Sequence, residues 1–398
     1  MSLTGRLSFG LQRNAALLFW GMFFLQAAFG TSDRFKTLYI ESLGATPALV
    51  GLLLGLGEAI RLTFLIASGP LSDRLPARFL ISTRWLSVIN ATFFLLASHW
   101  WMLIPAFIAQ AGANLAWPSV SRVIDESGDE ASRGRRFLLI YTIGPGVALL
   151  GAPLLGAVLA EEFGLRSVFV VLLVVITISS FFFSAVRPAP AVQLATRAGY
   201  RDVIRHKPTG SLCLLSLSSM FVAYLGMTLV PNFLHNERDI SFGMIGAFGS
   251  LVAVGNIGAG MALTKGTWTT KSLNGTLVTM LFYPVAFLIM LDSRHVVMVG
   301  LAYLLIGVAT VSQQAFYGPL GEVTPAHLRT RAFATFEVSN GLGLMLSGFA
   351  AGVLYTLAPS MPLWVALAGY MLVIGATVWL RRQLSVWTAT PPPEAVVA

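Results

Sequence analysis

Between residues 15 and 380 the chain is a succession of apolar runs separated by short charged turns, each run close to the ~20 residues a helix needs to cross a bilayer core. No other feature constrains the fold as much. In lipid a backbone N–H or C=O has no water to bond, so each segment must satisfy its own backbone, as a helix does. The runs fall at 15–42, 46–69, 79–98, 101–122, 137–160 and 166–186, and again at 210–234, 241–264, 272–291, 296–317, 332–357 and 361–380. The expected fold is an all-α membrane protein of about twelve transmembrane helices in two pseudo-symmetric six-helix bundles. The bundles are expected at 1–186 and 210–382, joined by a cytoplasmic linker at 187–209 and followed by a disordered tail at 383–398. Composition agrees: charged residues make up 11% of the chain against 56% hydrophobic, far below the roughly 25% charged residues of soluble domains. The first run is too long for a signal sequence, lacks a small-residue cleavage site and is followed at once by others.

A net charge of +9 has two readings, a nucleic-acid partner or membrane topology, and the positions of the charges decide between them. Threading the runs alternately places twenty of the 26 Lys and Arg residues on one face, Arg84 and Arg136 among them. Arg166, Arg238 and Arg294 fall on the other face, and Arg34, Lys36 and Arg61 lie within runs. By the positive-inside rule the chain is expected in the plasma membrane, a bacterial inner membrane, with both termini cytoplasmic. A nucleic-acid partner has no remaining support.

The turn Gly69-Pro-Leu-Ser-Asp-Arg-Leu-Pro-Ala-Arg78 joins the second and third runs. It resembles the signature loop of the major facilitator superfamily, in which a Gly is followed by Asp four positions on, a basic residue, and a Gly with two further basic residues. Gly69, Asp73, Arg74 and Arg78 match, while Pro76 and Ala77 stand where the family has Gly and a basic residue. The resemblance implies a secondary transporter whose two bundles rock about a central site, with this loop as a cytoplasmic gate that stabilises the outward-facing state.

The second half repeats the first weakly, as in transporters built from two related bundles. Arg136, Gly146, Val158 and Leu159 fall on Arg331, Gly341, Val353 and Leu354 at one constant offset, and Pro118 and Pro319 end the preceding runs alike. The gate has a faded second copy in Gly260 and Lys265, with Thr264 where the Asp would stand. Gly151-Ala-Pro-Leu-Leu-Gly156 is similar to part of the fifth-helix motif of proton-linked drug antiporters. The central Arg that the accompanying fourth-helix motif requires is absent from the run at 101–122.

Ionisable groups inside spans are costly and are functional candidates by default. Asp33 and Arg34 in the first run, Glu58 and Arg61 in the second and Glu337 in the eleventh are the candidates for proton coupling or substrate contact. Glu58 and Arg61, three apart, can pair directly, and Asp33 can reach Arg61 or Arg34. The competing reading is that Glu58 and Arg61 lock two helices, that Arg34 and Lys36 snorkel to the outer headgroups, and that Glu337 pairs with Arg329, Arg331 or the Asp73 turn. Gln26, Gln110, Asn114, Tyr141, Asn256, Gln313, Gln314, Tyr317 and Asn340 are expected to line a central cavity, with interhelical bonding the alternative for each. Trp100 and Trp101 suit an interfacial belt, and His235 to Asp239 a solvated turn.

The chain holds no phosphate-binding loop of Walker type and no His or Cys cluster suited to a metal, and its one cysteine, Cys213, sits in an apolar run. No enzyme activity, metal or cofactor is expected. The expected function is proton-coupled export of small organic molecules by alternating access, with a small-molecule substrate, protons and the bilayer as partners and a monomeric state. Uptake of an anionic solute by symport or uniport is the alternative, because Arg34, Lys36 and Arg61 outnumber Asp33 and Glu58. A non-transporting receptor or scaffold on the same fold is the alternative of another class.

Overall fold

The computed structural model describes residues 11–128, 136–137, 139–188, 200–265, 273–325 and 328–389. The first half comprises α1 (Arg13–Ser32), α2 (Lys36–Ser42), α3 (Pro47–Arg74), α4 (Ala77–Ser82), α5 (Leu86–Leu96), α6 (Ile104–Ala113), α7 (Trp117–Glu126), α8 (Gly144–Phe163) and α9 (Leu165–Ser184). The second comprises α10 (Tyr200–Arg205), α11 (Lys207–Met227), α12 (Val230–Arg238), α13 (Phe242–Lys265), α14 (Asn274–Met280), α15 (Phe282–Asp292), α16 (Val296–Ala315), α17 (Tyr317–Val323), α18 (Arg329–Leu357) and α19 (Met361–Ala389). Among the described residues, 11 helical stretches are long and apolar enough to cross a membrane. The run at 101–122 is divided between the ten-residue helices α6 and α7 by a 3₁₀ turn at Asn114–Ala116.

Local chemistry sets the helix ends that matter for the site. Thr46 caps α3, its hydroxyl accepting from the Leu49 amide at 3.4 Å with Pro47 at the first helical position. Asp33 follows the last residue of α1, a turn occupies 33–35, and α2 starts at Lys36, so the first crossing changes register there. Large apolar side chains such as Phe163, Val297 and Leu372 point outward, as the lipid-facing surface of a membrane protein requires.

In the first bundle α1 packs on α8 and α9; in the second α11 packs on α18 and α19, and α13 on α16. The two meet through α3 against α18 and α8 against α13. Glycines permit the first of these contacts. A Cβ on Gly51 would lie 2.5 Å from the Gly348 carbonyl oxygen and 2.6 Å from Gly352 Cα, so the two backbones touch through the small faces at 348 and 352. The repeated pair Gly146 and Gly341 holds matching places at the seam: Gly146 faces Ile257 of α13, and Gly341 faces Leu62 and Arg61 of α3.

Four expectations change. The tail is helical to Ala389, because α19 runs seven residues beyond the expected bundle end at 382; residues 390–398 lie outside the described residues. Part of the expected linker, 189–199, also lies outside them, while α10 and the start of α11 fall within its bounds. His235 to Arg238 belong to α12 rather than to a solvated turn; the helix ends at Asp239, whose φ of 53° is left-handed. Arg84 does not sit on the basic face. It lies on a 3₁₀ turn at Thr83–Trp85 between α4 and α5 and is 1% exposed.

Candidate functional site

A cavity of about 790 Å³ lies where the two bundles face each other. From the first bundle it takes Asp33, Arg34 and Lys36 at the α1–α2 junction, Glu58 and Arg61 on α3, Gln26, and Gln110 and Asn114 around the α6 break. The second bundle contributes Tyr224, Asn256, Thr310 and Gln314 among mostly apolar neighbours. Such a volume and lining suit a small organic molecule.

Glu58 and Arg61 form a fork. Arg61 Nε donates to Glu58 Oε1 and Oε2 at 2.8 and 2.9 Å, and Nη2 donates to Oε1 at 2.5 Å. Both therefore neutralise one another from a single helix face, as their spacing allows. Asp33 takes no part: among the described residues no Lys or Arg nitrogen lies within 4.0 Å of its carboxylate, which is exposed to the cavity. The bridges expected from Asp33 to Arg61 or Arg34 are not formed. Arg34 packs against α13, where a Cβ on Gly249 would lie 3.2 Å from its Cγ.

Lys36 does not snorkel outward. The register break at 33–35 turns it inward, and its Nζ lies 4.9 Å from the Phe107 ring centroid and 5.6 Å from that of Phe94. It is a cavity residue that the sequence pattern hid, since a Lys near a span end reads equally well as a headgroup contact. Tyr224 was hidden too, with no signal beyond a polar tip in an apolar run.

The polar candidates divide. Gln26, Gln110, Asn114, Asn256 and Gln314 line the central cavity, and Asn256 donates to Thr310 Oγ1 at 2.9 Å. Tyr141 lies instead in an adjoining side pocket of about 330 Å³ that also takes in Gln26, Gln110 and Asn114, and its hydroxyl is 2.9 Å from that of Ser121. Gln313 and Asn340 are not cavity residues. Gln313 donates to Ser219 at 2.9 Å, and Ser216 donates to Asn340, a buried polar cluster that ties α11, α16 and α18 together. Tyr317 and Glu337 are also off the cavity, with the Tyr317 hydroxyl donating to the Glu337 carboxylate. Of the gate motif, Arg78 is exposed at the start of α4 and Gly69 lies within α3, while the side chains of Asp73 and Arg74 lie outside the described residues.

On the side of the molecule that carries the 43–46 and 239–241 turns, here the distal face, the bundles are joined by hydrogen bonds. Glu41 at the end of α2 accepts from Asn232 at 2.5 Å and from Asn236 at 3.0 and 3.2 Å, both on α12. Glu161 of α8 accepts from the Gly243 amide at the start of α13 at 2.9 Å. Phe35 and Phe242 meet edge to face beneath them. These contacts hold the two bundles together at this end.

Comparison with known proteins gives the same frame. A family model described as Major Facilitator Superfamily matches residues 15–321. A multidrug resistance protein MdtG from Dickeya zeae (strain Ech586) is 30% identical over 205 residues, 48% of this chain and 49% of that protein. The chain thus spans about half the length of the curated relative it matches there. Among solved structures, the peptide transporter POT in complex with sulfate superposes with a TM-score of 0.74 at 14% identity, covering 96% of this chain and 95% of that one. The nucleoside transporter NupG superposes at 0.71 and 13% identity, covering 95% and 99%. At these identities the likeness is one of fold.

Proposed function

Because this chain belongs to the Major Facilitator Superfamily, we propose that it is a secondary transporter that carries small organic molecules across a bacterial inner membrane by alternating access. The observation that carries the reading is the central cavity between the bundles, which gathers five ionisable side chains, Asp33, Arg34, Lys36, Glu58 and Arg61, inside spans where charge is costly. A packed structural core would pair such groups off, whereas among the described residues only Glu58 and Arg61 of the five form an ion pair.

Closure at the distal face by Glu41 and Glu161 supports one of two end states, with the cavity reached from the side that bears the termini. The Asp73, Arg74 and Arg78 loop would then hold that second side shut in the other state. The transport cycle is driven by a proton gradient, with Asp33 the coupling carboxylate, since it faces the cavity and forms no ion pair among the described residues. Export is the favoured direction, supported by the similarity to a protein named for multidrug resistance. A second reading, uptake of an anionic solute with protons, is favoured by Arg34 and Lys36, which form no ion pair among the described residues. The protein acts as a monomer.

Proton flux in sealed vesicles tests coupling before substrate identity. Purified protein is reconstituted with a pH-sensitive dye inside, and organic cations, anions and sugars are added outside. A substrate-triggered pH change that is absent in Asp33→Asn is the expected result. Solute uptake with no pH change in the unaltered protein would overturn proton coupling, and binding without flux of any solute would mean a receptor.

A further inference from the structure

The side pocket reached from the central cavity is walled by Gln26, Arg84, Gln110, Asn114, Trp117 and Tyr141. Three of these sit on breaks in α-helical winding. Arg84 lies on the 3₁₀ turn at Thr83–Trp85, Asn114 on the 3₁₀ turn at Asn114–Ala116, and Tyr141 on a π-helical turn at Leu139–Ile143. Such interruptions sacrifice regular hydrogen bonding and recur where a helix must aim a side chain into a site.

Arg84 is the anomaly. Its guanidinium is stacked near Trp117 and Phe183, with Cζ 5.1 and 5.5 Å from their ring centroids, and Nη1 donates to the Ala113 carbonyl at 3.3 Å. Nε and Nη2 are buried and have no acceptor, and among the described residues no carboxylate lies within 4.0 Å. A permanently charged group with two unused donors, 1% exposed, carries a large cost that two aromatic faces and one hydrogen bond offset only in part. Gln110 beside it also leaves Oε1 unpartnered, and its amide, turned over, offers N–H donors to the same space.

We propose that this pocket is an anion subsite, which receives the carboxylate of an organic acid whose apolar body occupies the central cavity. A planar carboxylate matches the guanidinium fork, and a rotation of the Arg84 side chain toward the pocket would present both unused donors to it; Phe29 lines both the pocket and the central cavity. The proposal deepens the transporter reading, resting on it for the cavity's role as a substrate site, and names organic carboxylates as the substrate class.

The test is binding of 2-naphthoate against its uncharged isostere 2-naphthamide to the purified full chain, by titration calorimetry and by the shift in thermal midpoint. Naphthoate should bind about tenfold tighter or better, the difference expected of a charge-assisted bond in a dry site. Arg84→Gln should erase that ratio and Arg84→Lys should keep part of it. Should Arg84→Gln fail to fold, Gln110→Glu decides: it fills the site with the chain's own carboxylate, so it should raise the thermal midpoint and abolish the preference for naphthoate. An unchanged naphthoate preference in Arg84→Gln or Gln110→Glu, or equal binding of acid and amide by the unaltered protein, would overturn the subsite. An intact Arg84-dependent preference in a protein without flux would support the subsite and count against transport alone.

Discussion

Arg61 grips both carboxylate oxygens of Glu58 from one turn along α3, its Nε at 2.8 and 2.9 Å from them. The fork leaves Asp33 as the cavity carboxylate that forms no ion pair among the described residues, and so separates two acidic residues that share a depth and look alike in sequence. Glu58→Gln leaves the Arg61 guanidinium half-buried without its countercharge, at a cost of about 1–3 kcal/mol. The thermal midpoint should fall by several degrees, and most of the loss should be recovered in Glu58→Gln with Arg61→Met. A double-mutant cycle on thermal unfolding checks this; additive losses would show that the pair contributes nothing.

The contact of Gly51 with Gly348 and Gly352 leaves no room for a side chain. Gly51→Val should force α3 and α18 apart and bias the molecule away from the state closed at the distal face. Distances between spin labels on the 43–46 and 358–360 turns should lengthen. Gly151→Ala is the control: nothing lies within 4 Å of its Cβ, so neither the distances nor activity should change, with helix stability rising slightly.

Glu41 links the bundles through Asn232 and Asn236. A hydrogen bond to a charged acceptor contributes roughly 1.5–3 kcal/mol, so Asn232→Ala should reduce the distal-closed population by about tenfold or more relative to the open one. Reaction of a cysteine placed at Thr37 with a membrane-impermeant thiol reagent from the distal side should speed up accordingly. An unchanged rate would mean that aromatic packing at Phe35 and Phe242 maintains closure without the polar latch.

Lys36 sets the charge balance of the cavity together with Arg34 and Arg61 against Asp33 and Glu58. Lys36→Gln removes the excess positive charge and should weaken binding of organic anions about threefold to tenfold while easing entry of cations. Lys36→Arg should preserve the anion preference, because a guanidinium keeps the stack on Phe107. Competition binding with paired anionic and cationic dyes reads both effects.

Adjacent residues show how far the sequence reaches into the site. In sequence Gln313 and Gln314 are equal candidates, yet successive positions on a helix point ~100° apart, so Gln314 faces the cavity and Gln313 bonds Ser219 inside the bundle. Topology alone assigns Arg84 to the basic face, because a residue near a span end fits there, and only the winding of the Thr83–Trp85 turn carries it inward. Lys36 follows the same logic, redirected by the break after α1.

The sequence by itself determined the membrane-spanning all-helical architecture, the family, and the inventory of charges inside spans. These follow from one-dimensional facts: the length of apolar runs, the lipid's refusal of unbonded backbone, and the spacing of a ten-residue turn. The rotation and bending of each helix was decided only in the tertiary structure. Contacts such as Gly51 on Gly352 and breaks such as 33–35 and 114–116 set which side chains converge. In a chain whose helices are apolar all round, periodicity carries no record of the inward face, because lipid and protein interior accept the same residues.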